Sequence, residues 1–371
     1  MTNAFQIGKS KNVRNLAYPV IRRDAILAFR TVNMVTTTML ATVMRSDFKR
    51  GCVAIVSHHN DLHAHAVQRE LETYMDIQCH IIPSDRISES GQLTWTNLNE
   101  RENSSVLPTY DGQGIDIREI DTIWYRRGFV PQEVGMNGDP TRIDATKDVI
   151  NNSSNWALYG LLLSNFRGKW INDPSSNRIA ENKAVQLKVA REVGLVTPRT
   201  LISSDPVEVR KFCSLLNNQV VVKPIRPCRY TPIVTQKLRP EHLASDESIR
   251  LCPAIYQEYI PGDRHLRVHV FGDLILASSI ESSSLDWRPD IDFKCHSYDL
   301  SETLSSKIRQ VVQALNLCMG IVDLKLDGEE PIFLEINPQG QFLFVEALSD
   351  APLTAAMAKF LYSESLAARL V

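Results

Sequence analysis

Near the end of the chain, two short apolar runs carry acids where a buried strand would carry none. In Ile321-Val-Asp-Leu-Lys-Leu326 the side chains alternate, so Asp323 and Lys325 share one face. In Ile332-Phe-Leu-Glu-Ile-Asn337, Glu335 and Asn337 share a face, and Ile332, Leu334 and Ile336 share the other. A loop over Asp327–Pro331 pairs Leu326 with Ile332 and sets Asp323 across from Glu335. Two carboxylates directly opposed on paired strands repel. A divalent cation resolves that repulsion, with Asn337 as a neutral third oxygen ligand. Mg2+ takes one or two carboxylates and leaves its other positions to water and phosphate oxygens. The competing reading is a solvated polar face on an edge hairpin. The metal reading is favoured because the acids interrupt otherwise buried strands.

Phosphate is the natural companion of such a site, yet the sequence has no G-x-x-x-x-G-K-[ST] loop. Asp111-Gly-Gln-Gly114 is glycine-rich but sits between apparent strands with no helix after it, which predicts a turn. Lys183 on a helix and Lys223 at the end of an apolar strand remain. Lys223 follows Val220-Val-Val222 and precedes a proline, at the point where a buried strand emerges. In Leu266-Arg-Val-His-Val-Phe271, Arg267 points away from Leu266, Val268 and Val270, toward an anion in the same cleft or toward water. His58, His59, His63 and His65 straddle a strand-to-helix loop, which predicts surface histidines rather than a zinc site. The cysteines have no histidine in a nucleophile arrangement and read as small buried hydrophobes.

These residues need elements to position them. Cys52–Ser57 reads as a buried strand, Asp61 caps a helix through about Met75, and strands follow at Cys79–Ile82 and Asp121–Arg126. That alternation implies an open, largely parallel sheet over 47–135. Helices are predicted at Ala145–Phe166 and at Asn177–Val193, the latter ending at Gly194. Asp205-Pro206-Val207-Glu208 is a helix start, with a capping side chain, proline at the first position and Glu three residues on. Strands are predicted at Val220–Val222, Ile255–Ile260, Leu266–Phe271 and Leu274–Ile280, and a helix at Ser301–Leu315 before the final hairpin. The expected units are a basic extension (1–46), an α/β domain (47–135), linking helices (136–190), a central subdomain (191–262) and a C-terminal subdomain (263–371).

Composition bounds the class. The 371 residues are 43% hydrophobic and 23% charged, and 41 basic against 43 acidic residues leave a net charge of −2. No whole-molecule basic field points to nucleic acid or an acidic membrane. The charge-free stretch Thr31–Met44 is too short and Thr-rich for a membrane span or a signal-peptide core. Seven scattered cysteines without a C-x-x-C pair exclude a zinc ribbon and argue for a reducing cytoplasm. Residues 1–46 hold seven Lys or Arg against the single acid Asp24. They read as a transit peptide, as a basic arm packed on the body, or as the product of a start codon assigned too early.

The order of features resembles the ATP-grasp superfamily: Lys183, then Val-Val-Val-Lys223-Pro, Tyr256-Gln-Glu-Tyr-Ile260, Arg267, Asp323 and Glu335-Ile-Asn337. Within it the chain resembles the graspetide synthetases, the maturases of microviridin-type ω-ester and ω-amide peptides. That likeness rests on Trp124-Tyr-Arg-Arg127, Trp170-Ile-Asn-Asp-Pro174 and Ala180-Glu-Asn-Lys-Ala-Val-Gln-Leu187. It rests further on Gly194-Leu-Val-Thr-Pro-Arg-Thr-Leu201, Asp286-Trp-Arg288 and Glu335-Ile-Asn-Pro-Gln-Gly-Gln341, and covers about 50–362. The resemblance implies an α/β fold with an N-terminal open α/β domain, a central lid and a C-terminal α+β domain. It implies an ADP-forming carboxylate ligase that uses ATP and Mg2+ on a precursor peptide, and a homodimer. Lys183, Lys223 and Arg267 neutralise phosphates, Gln257, Glu258, Tyr259 and Ile260 hold adenine, and Asp263 reaches the ribose. Asp323, Glu335 and Asn337 hold the metal, and Arg288 orients the peptide carboxylate, so Lys223, Arg267 and Arg288 are the expected catalytic set.

Two alternatives stay open: a ligase joining an amino acid to a small carboxylate or peptide end, and a non-catalytic nucleotide-binding regulator. Asp286-Trp-Arg288 favours the peptide maturase over the first, and the complete set of metal ligands and lysines argues against the second. Two features depart from the pattern. The loop from Pro224 to Pro232 has no glycine, so Arg226 and Arg229 either replace backbone amides on the phosphates or contact substrate. Residues 1–46 have no counterpart in the family.

Overall fold

The computed structural model describes residues 50–370 apart from 97–104, 134–139, 227–232, 289 and 291. The basic extension 1–46, and Cys228 and Arg229 of the glycine-free loop, lie outside the described residues.

The chain begins with β1 (Cys52–Ser57), α1 (Leu62–Tyr74) capped by Asp61, β2 (Gln78–Pro83) and the short α2 (Ile87–Ser90). β3 (Val106–Leu107) and β4 (Ile115–Asp116) flank the Asp111–Gly114 turn and pair antiparallel. β5 (Thr122–Tyr125), α3 (Pro140–Asn165) and β6 (Lys169–Ile171) follow. The first sheet has the order β2-β1-β5-β6 and is parallel throughout. β1 is an unbroken apolar run because both faces are covered. Ala54 and Val56 pack toward Leu158 and Leu162 of α3, and Val53 and Ile55 toward Val67 and Leu71 of α1.

The helix predicted at Asn177–Val193 is two helices, α4 (Pro174–Ala180) and α5 (Lys183–Glu192). Asn182 breaks them apart by accepting from the amides of Ala184 and Val185, which makes it an N-cap rather than an interior residue. β7 (Thr200–Ser203), α6 (Pro206–Leu215), β8 (Val220–Pro224), β9 (Gln236–Lys237), α7 (Asp246–Leu251) and β10 (Ala254–Glu258) build the central unit. Its antiparallel sheet, β7-β10-β8-β9, has its own small core around Val209, Cys213, Val220, Ile249 and Tyr256.

The last sheet holds β11 (Arg264–Phe271), β12 (Leu274–Glu281), β13 (Lys294–Tyr298), β14 (Met319–Asp327) and β15 (Glu330–Asn337), ordered β13-β12-β11-β14-β15. α8 (Glu302–Ala314) precedes β14, and α9 (Leu343–Ser349) and α10 (Leu353–Ala368) end the fold. Leu266, Val268, Val322, Leu324 and Phe333 face α5 and α8. Met319, Ile321 and Phe271 face the other way and share a core with α10 and β1, which joins the first and last sheets.

The final hairpin corrects the expected register. Leu326 pairs with Pro331 and Lys325 with Ile332, so the turn is the tighter Gly328-Glu329, with Gly328 at φ +61°. A bulge between Asp323 and Leu324 absorbs the extra residue and returns Asp323 to Glu335. The bulge also reassigns faces. Phe333 enters the core, while Leu334, expected beside Ile332 and Ile336, turns to the cleft.

Candidate active site

β11 and β14 present alternate residues to a cleft between the central and last sheets: Arg267 from β11, and Asp323 and Lys325 from β14. Glu335 and Asn337 join them from β15. The Asn337 amide nitrogen lies 3.1 Å from Asp323 Oδ2 and 3.3 Å from Glu335 Oε1. One short side chain thus bridges both carboxylates. Turning that amide over would present a third oxygen to the same point, so the donor set fits a hard divalent cation.

Each acid has a cation beside it. Arg267 grips Asp323 through Nη1 at 2.7 and 2.9 Å and donates to the Gln341 carbonyl at 2.9 Å. Its guanidinium lies 5.4 Å from the ring centroids of both Trp287 and Phe344. Lys183, the first residue of α5, places Nζ 2.6 Å from Glu335 Oε2. Lys223, next to last in β8, donates to Gln257 Oε1 at 3.0 Å. Burial lowers the Lys223 pKa, and Glu335 opposes the shift. Burial raises Asp323 above the usual carboxylate range despite Arg267, with the Glu335 charge adding to the rise. Burial pushes Glu335 upward too, but Lys183 and Lys223 outweigh it and hold that carboxyl low. The surroundings thus shift the two acids in opposite directions, Asp323 upward and Glu335 downward.

Arg288 lines the cleft as expected, but its Nε and Nη2 are engaged by Asp286 at 2.7 and 2.5 Å. Beyond Lys223 lies a smaller cavity of about 110 Å3 walled by Val221, Tyr259, Ile260, Leu285 and Leu334. Glu258 lines it, yet its carboxylate is paired outward with Arg199 at 2.6 Å. The Glu258 and Tyr259 amides already donate to the Arg199 and Gln219 carbonyls. Asp263 is exposed ahead of β11 and is not brought to this wall. His265, two residues on, lines the wall instead, buried and with Nε2 unpartnered.

Sequence reasoning missed the residues that hold β15 in place. Gln186 of α5 is fully buried, accepts from the Ile336 amide (3.1 Å) and donates to the Ile336 carbonyl (2.8 Å). Asn172 donates to the Met319 and Pro338 carbonyls at 2.9 and 3.1 Å and accepts from the Cys318 and Met319 amides. Trp124 Nε1 donates to Gln339 Oε1 at 2.7 Å. All three fall inside stretches quoted above for the family resemblance, whose common purpose is to anchor the segment carrying Glu335 and Asn337.

The histidines divide. His63, expected at the surface, is buried, and its Nε2 accepts from the Phe342 and Leu343 amides at 2.9 and 3.2 Å. His59, Asp85 and Glu133 offer ligand atoms within 4.8 Å of one another. His59 Nδ1 already pairs with Asp85 Oδ2 at 2.7 Å, and Arg86 Nη2 donates to His59 Nε2 at 2.9 Å and to Glu133 Oε2 at 3.2 Å.

No family model matches the sequence, and no curated protein matches it. Solved structures do. The macrocyclase MdnC of Microcystis aeruginosa, solved with its precursor peptide MdnA, superposes with a TM-score of 0.73 at 25% identity, over 84% of this chain and 99% of its own. A RiPP-associated ATP-grasp ligase of Chryseobacterium gregarium, in complex with ADP and a leader and core peptide, gives 0.73 at 22% identity, over 85% and 97%. The D-alanine–D-alanine ligase of Bacillus anthracis, complexed with ATP, gives 0.53 at 14% identity, over 87% and 99%. The chain has the ATP-grasp fold.

Proposed function

We propose that this chain is an ATP-dependent, ADP-forming carboxylate ligase that closes ω-ester or ω-amide links within a ribosomal precursor peptide. The observation that carries the reading is one continuous cleft. Lys183, Lys223, Arg267, Asp323, Glu335 and Asn337 meet at its centre, with a cavity of about 110 Å3 of mixed lining on one side and a cavity of about 790 Å3 on the other. The larger cavity is bounded by Trp287, Phe293, Phe344 and Arg127 and has room for a peptide segment. The similarity to MdnC, at 25% identity over most of both chains, supports the same reading.

A substrate Asp or Glu carboxylate oxygen attacks the γ-phosphorus of ATP, the bond to the bridging oxygen breaks, and ADP leaves. A Lys amine or a Ser/Thr hydroxyl of the same peptide then attacks the acyl carbon and expels phosphate, with a net loss of one water per ring. No enzymic nucleophile is needed; the protein supplies charge and alignment. Lys183, Lys223 and Arg267 neutralise the phosphate oxygens. Val221, Leu334 and Ile260 take the adenine between the sheets. Asp323, Glu335 and Asn337 would hold Mg2+, which neutralises charge on the transferred phosphoryl group. Trp287 and Phe344 keep Arg267 extended and exclude water from its face.

The cytoplasm is the proposed location, supported by Cys52, Cys79, Cys213, Cys252, Cys295 and Cys318, all free thiols. Among the described residues no helix is long and apolar enough to cross a membrane. A homodimer is proposed from the family resemblance and is tested by sedimentation.

The decisive experiment incubates the protein with ATP, Mg2+ and the peptide encoded in a neighbouring reading frame, following ADP and peptide mass together. Loss of one water per ring with matching ADP is expected. ADP formed only with free amino acids would replace this reading with the small-molecule ligase.

A further inference from the structure

The larger cavity ends on a guanidinium that the mechanism above does not use. Arg127 directly follows Arg126 at the carboxyl end of β5. β5 lies beside β1, and the chain leaves β1 through α1 to reach β2 on the opposite side, so the strand order reverses between β1 and β5. Open parallel sheets bind ligands outside the carboxyl ends of their strands at such a reversal. The amides of Arg126 and Arg127 both donate to the Val56 carbonyl of β1, at 3.0 and 2.9 Å, which fixes the pair at that point.

The two guanidiniums share one acid. Arg126 is buried and takes Asp61 at 2.5 Å, with the Gln339 and Gly340 carbonyls at 3.3 and 3.1 Å. Asp61 also accepts from Ser57 Oγ at 2.6 Å. Arg127 is held by carbonyls alone: its Nη1 donates to Arg126 O at 3.0 Å and Gln339 O at 3.1 Å. Among the described residues no carboxylate lies within 4.0 Å of it, and its Nε and Nη2 donate to no protein group. The acids whose charge reaches it, Asp61 and Glu181, are bonded to Arg126 and Arg226 instead, so the cost of burying this cation beside a second one is only partly offset until an anion arrives. Burial accordingly lowers the Arg127 pKa. The other arginines of this cavity are matched: Arg267 with Asp323, Arg288 with Asp286, and Arg226 with Glu181 at 2.7 Å. Arg127 lines the same space as Glu335, Asn337 and Gln339.

We infer that the free Nε–Nη2 edge of Arg127 binds the side-chain carboxylate of the peptide that is to be phosphorylated. That edge suits side-on, bidentate recognition of a carboxylate. Arg288, to which the sequence assigned this task, has the same edge occupied by Asp286. The peptide acid therefore enters from the side of the first sheet, opposite the adenine cavity. The inference rests on the ligase reading, and the substrate class it specifies is an acidic peptide.

The test compares the parent with Arg127→Gln and Arg127→Lys. The probes are a synthetic peptide with a single Glu, Lys and Thr, and its counterpart with Gln in place of that Glu. ADP release gives KM for the acidic peptide and the inhibition constant of the amide peptide, and calorimetry with a non-hydrolysable ATP analogue gives nucleotide affinity. The parent should prefer acid over amide. In Arg127→Gln the KM should rise roughly ten- to a hundredfold and the preference should vanish, with nucleotide affinity within about twofold of the parent. Arg127→Lys should recover part of the preference, because it keeps the charge and loses the fork. A merely structural Arg127 would lower the melting temperature or nucleotide affinity and leave the acid–amide preference at the parent value, and that outcome overturns the inference. Should the parent release no ADP with any acidic peptide, the ligase reading falls and takes this inference with it.

Discussion

Asp323 and Glu335 sit across a strand pair with Asn337 bridging them, and neighbouring cations give them different affinities for a proton. Glu335→Gln keeps the shape and removes one anionic oxygen and the partner of Lys183. ADP formation should fall by roughly a hundredfold or more, with little change in melting temperature. A folded variant turning over at the parent rate would remove Glu335 from the site. His269 offers a separate test at the same scale. It is fully buried on the cleft-facing side of β11, with both ring nitrogens unpartnered. Burial first, and then Arg267, pushes its pKa down to about 3, against an unfolded value of about 6.5. Between those values the unfolded chain binds the extra proton. The stability from neutral His269 is therefore complete above about pH 6.5 and lost as pH falls toward 3. His265, pushed down to about 4, acts in the same direction. His269→Leu should flatten the fall in stability between pH 6.5 and 5 by up to about 1.4 kcal/mol per pH unit. Parallel melting curves for parent and variant across that range would refute it.

Elements turn these residues into a site, and here the sequence was legible to different depths. The alternation of apolar residues with Asp323, Lys325, Glu335 and Asn337 revealed the hairpin and its cleft-facing acids, because strand periodicity is short and strict. The bulge was not legible. A one-residue slip in the turn reverses every face, and only packing decides that Phe333 rather than Leu334 enters the core. The division of α4 from α5 was marked by Asn182, a good cap, but continuous apolar spacing from Ala180 to Leu187 hid it. α10 buries Leu353, Ala356, Met357, Phe360 and Leu361 along one stripe, but Ala355, Ala358, Leu366 and Ala367 on its other faces leave little polar contrast to read. β6, three residues long, is too short for any pattern. Gln186 shows what such local reasoning cannot reach, since its partner Ile336 lies 150 residues away. Replacing it by Leu strands the buried N–H and C=O of Ile336, each worth about 1–3 kcal/mol. Gln186→Leu should lower the melting temperature by several degrees and raise the Mg2+ concentration needed for ADP formation, as β15 loosens from α5. An unchanged Mg2+ requirement would show that β15 is held without Gln186.

At the scale of the whole molecule, the first and last sheets share one core through α10, whereas the central sheet has a core of its own. The central sheet is pinned to β15 at one end, where the Phe333 amide donates to the Val196 carbonyl at 2.8 Å. At the other end Arg226 reaches Glu181 by a surface pair, which contributes little. The cavity proposed for adenine measures about 110 Å3, well below the ~300 Å3 or more of sites that enclose a small molecule. On the proposed nucleotide placement, the β7–β10 sheet would swing about the Val196 end to admit the ligand, then close on it. Lys223 would report that closure, because it leaves the central sheet near the end of β8 and feels Glu335 of the last sheet. In the parent, a non-hydrolysable ATP analogue should slow amide exchange across Val220–Lys223 and Ala254–Glu258, with β11 and β14 little altered. Lys223→Met removes the charge that the phosphates meet, so affinity for the analogue should fall about tenfold or more. The exchange protection of the central strands should fade with it. Lys223→Arg should recover only part of both effects, since a planar fork replaces a compact ammonium in a narrow space. A methionine variant that binds the analogue as the parent does, with its central strands equally protected, would sever Lys223 from the nucleotide and the central sheet from the closing motion.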